Sequence, residues 1–560
     1  MKTQLTMLLI GASFLTYSQN ALNIPTAITN TTINLTLDEG TTMFYPGVTT
    51  NTLGANGPLL GPTLILNQGD NVNITVDNQL ADTTTIHWHG LHVAPEDDGG
   101  PHSIILPGNS WNPQFTVLDK AGTYWYHPHL HMQTDKHVSK GIAGMILVRD
   151  SEEASLGLPM TYGVDEIPLV LQTKGFDAQG QILVHTDLDT SVMANGVVDA
   201  VTDFPAQVVR LRILNGSSMR VMKLGFSDNR SFSLIGTDGG LLAAPVSLTR
   251  YTMGPGQRAD ILVDLSSSLG QNFQLMSFGS EIPSAYYGAA QPGMGPGATS
   301  SLPDYTSNPL NGADYSFLDI NVVAATGSPI TSIPSSLATF TPWQEASAVT
   351  TRTLLFSSDG PMGDLNGPFV INNSTFDMNV MNYTVQLNNI EIWELTNGTP
   401  IAHPFHIHDV QFFILDINGN APPAEMAGYN DVVLVPAGMS TVRFIAKFEN
   451  HTNDSIPYMY HCHMLTHEDM GMMGQFLVID STLNTIEYEA GSNWTLYPNP
   501  SNGKVFFQAE EKTEITITDL SGKIIQVFEA YGKTEVQLNV SPGLYIATDA
   551  RGRREKFVVE

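Results

Sequence analysis

The sequence predicts an all-β protein made of several β-sandwich domains, and three observations carry that expectation. Short runs rich in Val, Ile, Thr, Tyr and Phe recur along the chain, as at residues 71–76, 208–214 and 441–448, with turn residues between them. Long helical periodicity is scarce, so the period-2 reading of these runs wins. Finally, 560 residues correspond to three or four domains at about 150 residues each, every one long enough to bury its own core.

Taken in chain order, the first element is a targeting signal over residues 1–19. Met1-Lys2 gives a positive start, residues 5–15 are largely apolar, and Tyr17-Ser18-Gln19 offers a cleavage region. The mature chain is expected to begin near Asn20. The apolar run is shorter than the ~18 residues of a membrane span, and no later segment reaches that length. The expectation is an exported protein with no membrane span. A first domain is placed at 21–150 and a second at 160–325. A Ser/Thr/Pro-rich linker covers 326–350, a third domain 351–483, and a small separate β module 490–560.

An internal repeat ties the first domain to the third. Tyr124-Trp125-Tyr126-His127-Pro128-His129 resembles Tyr458-Met459-Tyr460-His461-Cys462-His463, and an apolar strand follows each. Ile86-His87-Trp88-His89 likewise echoes Phe405-His406-Ile407-His408. The middle domain has no such histidine pairs.

Net charge is −30, from 54 acidic and 24 basic residues. Nucleic acid and anionic membrane both need a basic footprint, so neither is expected as a partner. The acid surplus leaves room for cationic or neutral substrates, or simply keeps an exported protein soluble. With one cysteine, an intramolecular disulfide is impossible. Cys462 is then either a core thiol or a chemical group, and its neighbours favour the second.

Ten of the sixteen histidines fall in four groups: His87/His89, His127/His129, His403/His406/His408, and His461/His463/His467. On a strand, residues i and i+2 share a face, so each His-x-His pair presents two imidazoles together. That arrangement suits a metal and wastes packing. Imidazole binds Zn, Cu, Fe and Ni, but two His, one Cys and a weak axial Met form the electron-transfer copper pattern. Here that set is His403, Cys462, His467 and Met472. A structural zinc site needs four ligands and usually more than one cysteine, which ten histidines exceed. Because strand side chains alternate, the Cys462 sulfur points away from His461 and His463. A metal on the thiolate is therefore joined by short covalent paths to metals on the flanking imidazoles.

In order and spacing, these four clusters resemble the copper motifs of the multicopper oxidases, a family that includes laccases, bilirubin oxidases and bacterial cuprous oxidases. The segment from His461 to Met473 is similar to that of bacterial copper-efflux oxidases, and the likeness spans residues 30–482. It includes the middle-domain stretches Arg210-Leu211-Arg212-Ile213-Leu214-Asn215-Gly216-Ser217 and Thr237-Asp238-Gly239-Gly240. The resemblance implies three cupredoxin-like Greek-key sandwiches and four coppers per chain: one type 1, one type 2 and two type 3. It places type 1 copper on His403, Cys462 and His467 with axial Met472, and type 2 copper on His87 and His406. The type 3 pair falls to His89, His127, His129, His408, His461 and His463, with no cofactor beyond copper. A donor would be oxidised at type 1 and O2 reduced to water at the trinuclear cluster. Asp98 and Glu468 match acidic residues assigned to proton delivery, a role a carboxylate near a reacting oxygen can fill. His92, His102, His131, His137, His185 and His451 are read as non-ligands, with His92 and His131 placed where they could orient ligands.

Two departures bear on the donor. The Met-rich insertion of bacterial cuprous oxidases is missing, leaving a Gly/Pro-rich loop around Met294, and Met362 near Asp359 and Asp364. Ile401 stands two residues before His403, where copper-efflux enzymes place methionine. A laccase-like donor, phenolic or aromatic amine, is therefore expected to approach a shallowly covered type 1 edge. The alternatives are a metal oxidase of Cu(I), Fe(II) or Mn(II), and a non-enzymatic cupredoxin-fold scaffold, which the full ligand set disfavours. Two-domain nitrite reductases are disfavoured by length.

The tail carries Leu496-Tyr497-Pro498-Asn499-Pro500-Ser501, Ile517-Thr518-Asp519-Leu520-Ser521-Gly522-Lys523, Gly543-Leu544-Tyr545 and Lys556-Phe557-Val558-Val559. It resembles the C-terminal β-sandwich sorting domains of the Bacteroidetes type IX secretion system. That implies secretion machinery as a partner, export through the periplasm, and a secreted or cell-surface protein. A carbohydrate-binding β module is the other reading of the tail.

Overall fold

Alternation of side chains builds each sandwich. On Asn71–Asn78 the residues Val72, Ile74 and Val76 are buried while Asn71 and Asn73 are exposed, the period-2 signature of a half-buried strand. The computed structural model describes residues 20–294, 302, 304–360, 365, 367–480, 494–520, 522–550 and 554–560. The signal segment 1–19 and Met362 lie outside the described residues. The chain divides into two compact units, one ending at Ile479 and the other starting at Asp480.

Among the described residues the first unit holds six sheets, which build three sandwiches. One pairing scheme is used three times. Asn71–Asn78 runs parallel to Thr32–Tyr45, Val208–Asn215 parallel to Glu166–Phe176, and Ile390–Asn397 parallel to Thr350–Ser358. Each inner strand ends in an asparagine doing one job. Nδ2 of Asn78, Asn215 and Asn397 donates to two backbone carbonyls, and Oδ1 accepts the N–H two residues on. These amides close the turn after the strand with every polar atom satisfied. The middle domain is thus a third copy of the repeat, without the histidines.

The histidine-bearing sheets of the first and third domains match in register. Gly122–His127 pairs antiparallel with His87–His89, setting His127 opposite His87. Tyr458–Cys462 pairs antiparallel with His403–Ile407, setting His461 opposite His406. Under Tyr126 and Tyr460 lie Gly144 and Gly474, where a Cβ would come within 2.2 and 2.3 Å of the phenol rings. Only glycine fits there.

Two features depart from a strictly local reading. Asn20–Ala21 joins not the first sandwich but the middle one, parallel to Ala200–Pro205. The linker is also packed rather than loose: Leu337 and Ala338 N–H bond to the carbonyls of Ala243 and Leu242, and Phe340 stacks on Phe413.

The second unit is a five-stranded antiparallel sheet of Trp494–Tyr497, Lys504–Asp519, Ile524–Gln537, Gly543–Asp549 and Arg554–Val559. Val505, Phe507, Ile515, Ile517 and Phe557 form its core. Among the described residues, no helix is long and apolar enough to cross a membrane.

Candidate metal centre

The ten clustered histidines come together in two places, both buried. At the first, Cys462 Sγ lies 3.4 Å from His403 Nδ1 and 3.7 Å from His467 Nδ1, and the two nitrogens are 3.3 Å apart. The circle through these three atoms has a radius of about 2 Å, the length of a metal–imidazole bond. His403 and Cys462 come from paired strands. His467 comes from the one-turn helix Leu465–Asp469, whose His467 N–H bonds back to Met464 O. Met472 is fully buried in the same apolar core as Cys462, and its carbonyl accepts the Cys462 N–H at 3.0 Å.

Burial holds His403 well below the usual imidazole range and pushes His467 down to about 3. The same burial pushes the Cys462 thiol up. Two neutral imidazoles are therefore ready to bind, while a thiolate persists only beside a cation. An open edge is not what the described residues show. His403 and His467 are 0 % and 1 % exposed, and Phe369 packs on both rings at 4.8 and 4.7 Å.

At the second place, eight imidazoles from the first and third domains meet in groups whose ligand atoms lie within 4.8 Å: His87/His89/His406, His89/His127/His463 and His129/His408/His461. Only His87–His89 lies wholly on a strand. His129, His408 and His463 sit just past strand ends, so each later pair splays. His127 joins one triplet while His129 joins the other, and His463 and His461 divide the same way. The pairs span neighbouring metal positions instead of sharing one.

What makes this a cation site is where the outward nitrogens point. His461 Nδ1 faces the Cys462 carbonyl at 3.0 Å and Glu468 Oε2 at 3.2 Å, and His129 Nδ1 faces Glu468 Oε1 at 3.3 Å. The Cys462 carbonyl places the His461 proton on Nδ1 and the nearby carboxylate favours the same tautomer at His129, so both Nε2 atoms carry bare lone pairs, yet they stand 3.1 Å apart. His127 and His89 repeat the conflict. His127 Nδ1 donates to Pro128 O and His89 Nε2 to Asp431 Oδ1, leaving lone pairs face to face at 3.4 Å. Nε2 of His87, His406 and His408 is buried with no hydrogen-bond partner. Protons cannot bridge them cheaply: burial holds His89, His127, His129 and His406 well below the usual range, and His408 and His463 at about 3. Converging neutral imidazoles of this kind fit copper ions at type 1 and trinuclear sites.

Three carboxylates ring the cluster. Asp98 Oδ2 accepts from His408 Nδ1 at 2.8 Å and its carbonyl from His87 Nδ1 at 2.9 Å. Its carboxylate could itself join His87 and His408 around an ion, but it meets His408 on the nitrogen turned away from the cluster, which marks it as an orienting group. Burial works to raise Asp98, and its contacts with His408 and His87 outweigh it, holding the carboxyl below the usual range. Glu468 is held low in the same way by His129 and His461 against burial. The third carboxylate, Asp431, was not singled out from the sequence. Its Oδ1 faces His89 and its carbonyl accepts from His406 Nδ1 at 2.8 Å.

Among the other histidines, His92 touches the centre's surroundings. Its Nδ1 lies 2.7 Å from the Asp409 carbonyl, beside His408. Burial opposes protonation there, but the Asp409 carboxylate prevails and raises His92 to about 9. His131 packs on Phe376, and burial lowers it. His102 meets Gln475 Oε1, His137 meets Thr84, His185 lies by Asp135, and His451 packs on His92. None of these six joins a potential metal group among the described residues.

The chain is similar to known proteins over most of its length. Multicopper oxidase family profiles match residues 36–153 and 342–482, and a secretion system C-terminal sorting domain profile matches residues 495–560. A multicopper oxidase of Staphylococcus haemolyticus is 33 % identical over 453 residues, covering 79 % of this chain and 88 % of that protein. The solved laccase-like multicopper oxidase of Ochrobactrum sp., described as active towards lignin model compounds and lignosulfonate, is 32 % identical with a TM-score of 0.71. It covers 82 % of this chain and 100 % of its own. A Campylobacter jejuni multicopper oxidase described as a metallo-oxidase is 26 % identical with a TM-score of 0.65, covering 82 % and 94 %.

Proposed function

The chain belongs to the multicopper oxidase family of O2-reducing oxidoreductases, and we propose that it draws single electrons from an organic donor, laccase-like, to reduce O2 to water. When bound, copper supplies the one-electron chemistry that links donor to dioxygen. His403, Cys462 and His467, with Met472 buried in the same core, would hold the type 1 ion. His87 and His406 would hold type 2, and His89, His127 and His463 with His129, His408 and His461 would hold the type 3 pair. The observation that carries this reading is the placement of Cys462 between His461 and His463 in sequence. Its sulfur belongs to one centre while both flanking imidazoles belong to the other, so a few covalent bonds connect donor side to oxygen side. Asp98, beside His408, and Glu468, between His129 and His461, would pass protons through their carboxylates.

Organic donors are favoured by what stands beside His403. Ile401 is a buried aliphatic side chain, where a Cu(I) ion would want a soft thioether. Electrons from a planar donor then cross the Phe369 covering to the two imidazoles. One observation supports a metal-ion donor instead. The exposed Met294 donates its N–H to Pro400 O at 2.8 Å, which brings a thioether to the segment leading into His403. Oxygen uptake by copper-loaded protein across phenols, aromatic amines, Cu(I), Fe(II) and Mn(II) decides between them. Higher kcat/KM for an organic donor is expected. Faster Cu(I) turnover that a Met294→Leu substitution removes selectively would overturn it.

The sorting domain implies a secretion machinery as partner and export to the cell surface or beyond. We propose the type IX route through the periplasm, with the tail acting as an address outside catalysis. The scaffold alternative is disfavoured by the intact ligand set.

A further inference from the structure

The middle domain contributes no ligand to either centre, yet Gly256 lies against the His463 ring and one buried arginine reaches the histidine cluster through a carboxylate. Arg258, at the start of Arg258–Asp264, grips the Asp431 carboxylate with both terminal nitrogens, Nη1 to Oδ1 at 2.7 Å and Nη2 to Oδ2. Its remaining donors go to backbone carbonyls at 2.9 Å: Nε to Thr123, Nη1 to Gly256 and Nη2 to Asp238. All five guanidinium protons are thereby used. Asp238 completes the clamp by accepting the N–H of Arg258 at 2.7 Å and of Val432 at 3.2 Å. Residues from all three domains converge here.

The clamp lies directly against a ligand. Asp431 Oδ1 is 3.2 Å from His89 Nε2. Gly90 follows His89 at φ +88°, and a Cβ there would fall 2.3 Å from Asp431 Oδ2 and 2.8 Å from Arg258 Nη2. The chain beside His89 is bare where the ion pair must pass. A carboxylate paired with a guanidinium can only accept, so the His89 proton resides on Nε2 and Nδ1 faces His127 and His463. His89 is alone among the eight in this. The other seven offer Nε2 to the cluster.

We propose that Arg258, acting through Asp431, is a positioning residue that fixes the tautomer and orientation of His89, so that the ligand-free middle domain completes the trinuclear site. This rests on the oxidase reading above. The test uses full-length chains carrying Asp431→Asn or Arg258→Lys, titrated with copper from the metal-free state. Loss of a partner behind a metal-bound histidine typically lowers metal affinity 10–100-fold. That loss is expected at the histidine cluster for Asp431→Asn, with a smaller one for Arg258→Lys. Blue absorption from the Cys462 site should stay at wild-type strength. Imidazole ¹⁵N shifts of the metal-free variants should show His89 sharing its proton between both nitrogens.

Wild-type affinity in both variants with His89 still protonated on Nε2 would overturn the proposal. So would equal losses at both centres, the mark of general loosening. If Asp431→Asn fails to fold, the same measurements on Arg258→Lys decide the matter. A wild-type chain that never fills the histidine cluster would instead refute the oxidase reading itself.

Discussion

Replacing Cys462 with serine is expected to abolish the intense blue absorption and all donor oxidation while leaving about three coppers per chain, since the remaining ligand sets are independent of the sulfur. The thiolate is at once the soft ligand of the first centre and the covalent exit towards the second. A serine hydroxyl is harder and deprotonates far less readily, and burial, which already pushes the Cys462 thiol up, opposes an alkoxide more strongly still. The fold should tolerate the exchange. Position 462 keeps its main-chain bond to Met472, and His463 keeps its own to Pro404, so both flanking imidazoles stay in place. Absorption spectra and metal analysis of the purified variant check this together. Retained blue colour would place the type 1 site elsewhere.

Asp98→Asn is expected to slow turnover about 10²–10⁴-fold, the usual contribution of a positioned acid or base, with the blue spectrum and copper content unchanged. Asparagine has nearly the same shape, and its Oδ1 can still accept from His408 Nδ1 where Oδ2 does now, at 2.8 Å. The main-chain carbonyl that accepts from His87 is untouched. What disappears is the ability to take up and release a proton beside the oxygen site. Steady-state oxygen uptake with a saturating donor reads the loss. Unchanged turnover across pH would refute the relay, and loss of copper would show that Asp98 serves mainly to orient His408.

The parts of this protein that were legible in the sequence are those written locally. The four histidine groups are short patterns on or just beyond strand ends, and the all-β class follows from alternation on strands such as Asn71–Asn78. Glu468 and Asp98 drew notice because they match acidic residues of the resembling family beside its ligand motifs, Glu468 directly after His467. Asp431 was not legible: it is a lone acid before the apolar strand Val432–Val435, and its partner Arg258 is 173 positions away. A pairing of that separation leaves no local mark, although Gly90 directly after a ligand was a faint one. The repeated asparagines were visible as a polar residue closing each apolar run, but their common role needs three turns to be compared in space. The splaying of the histidine pairs was hidden for a similar reason. Pro128 and the positive φ of Asp409 take His129 and His408 off the strand, which strict alternation does not anticipate.

Metal content distinguishes a copper enzyme from every other reading of these histidines. Elemental analysis of the fully loaded, full-length chain is expected to give about four coppers per molecule, one for the cysteine site and three for the histidine cluster, in keeping with the ligand chemistry. A value near one copper, or a chain filled mainly with zinc under the same loading, would contradict the copper-enzyme reading.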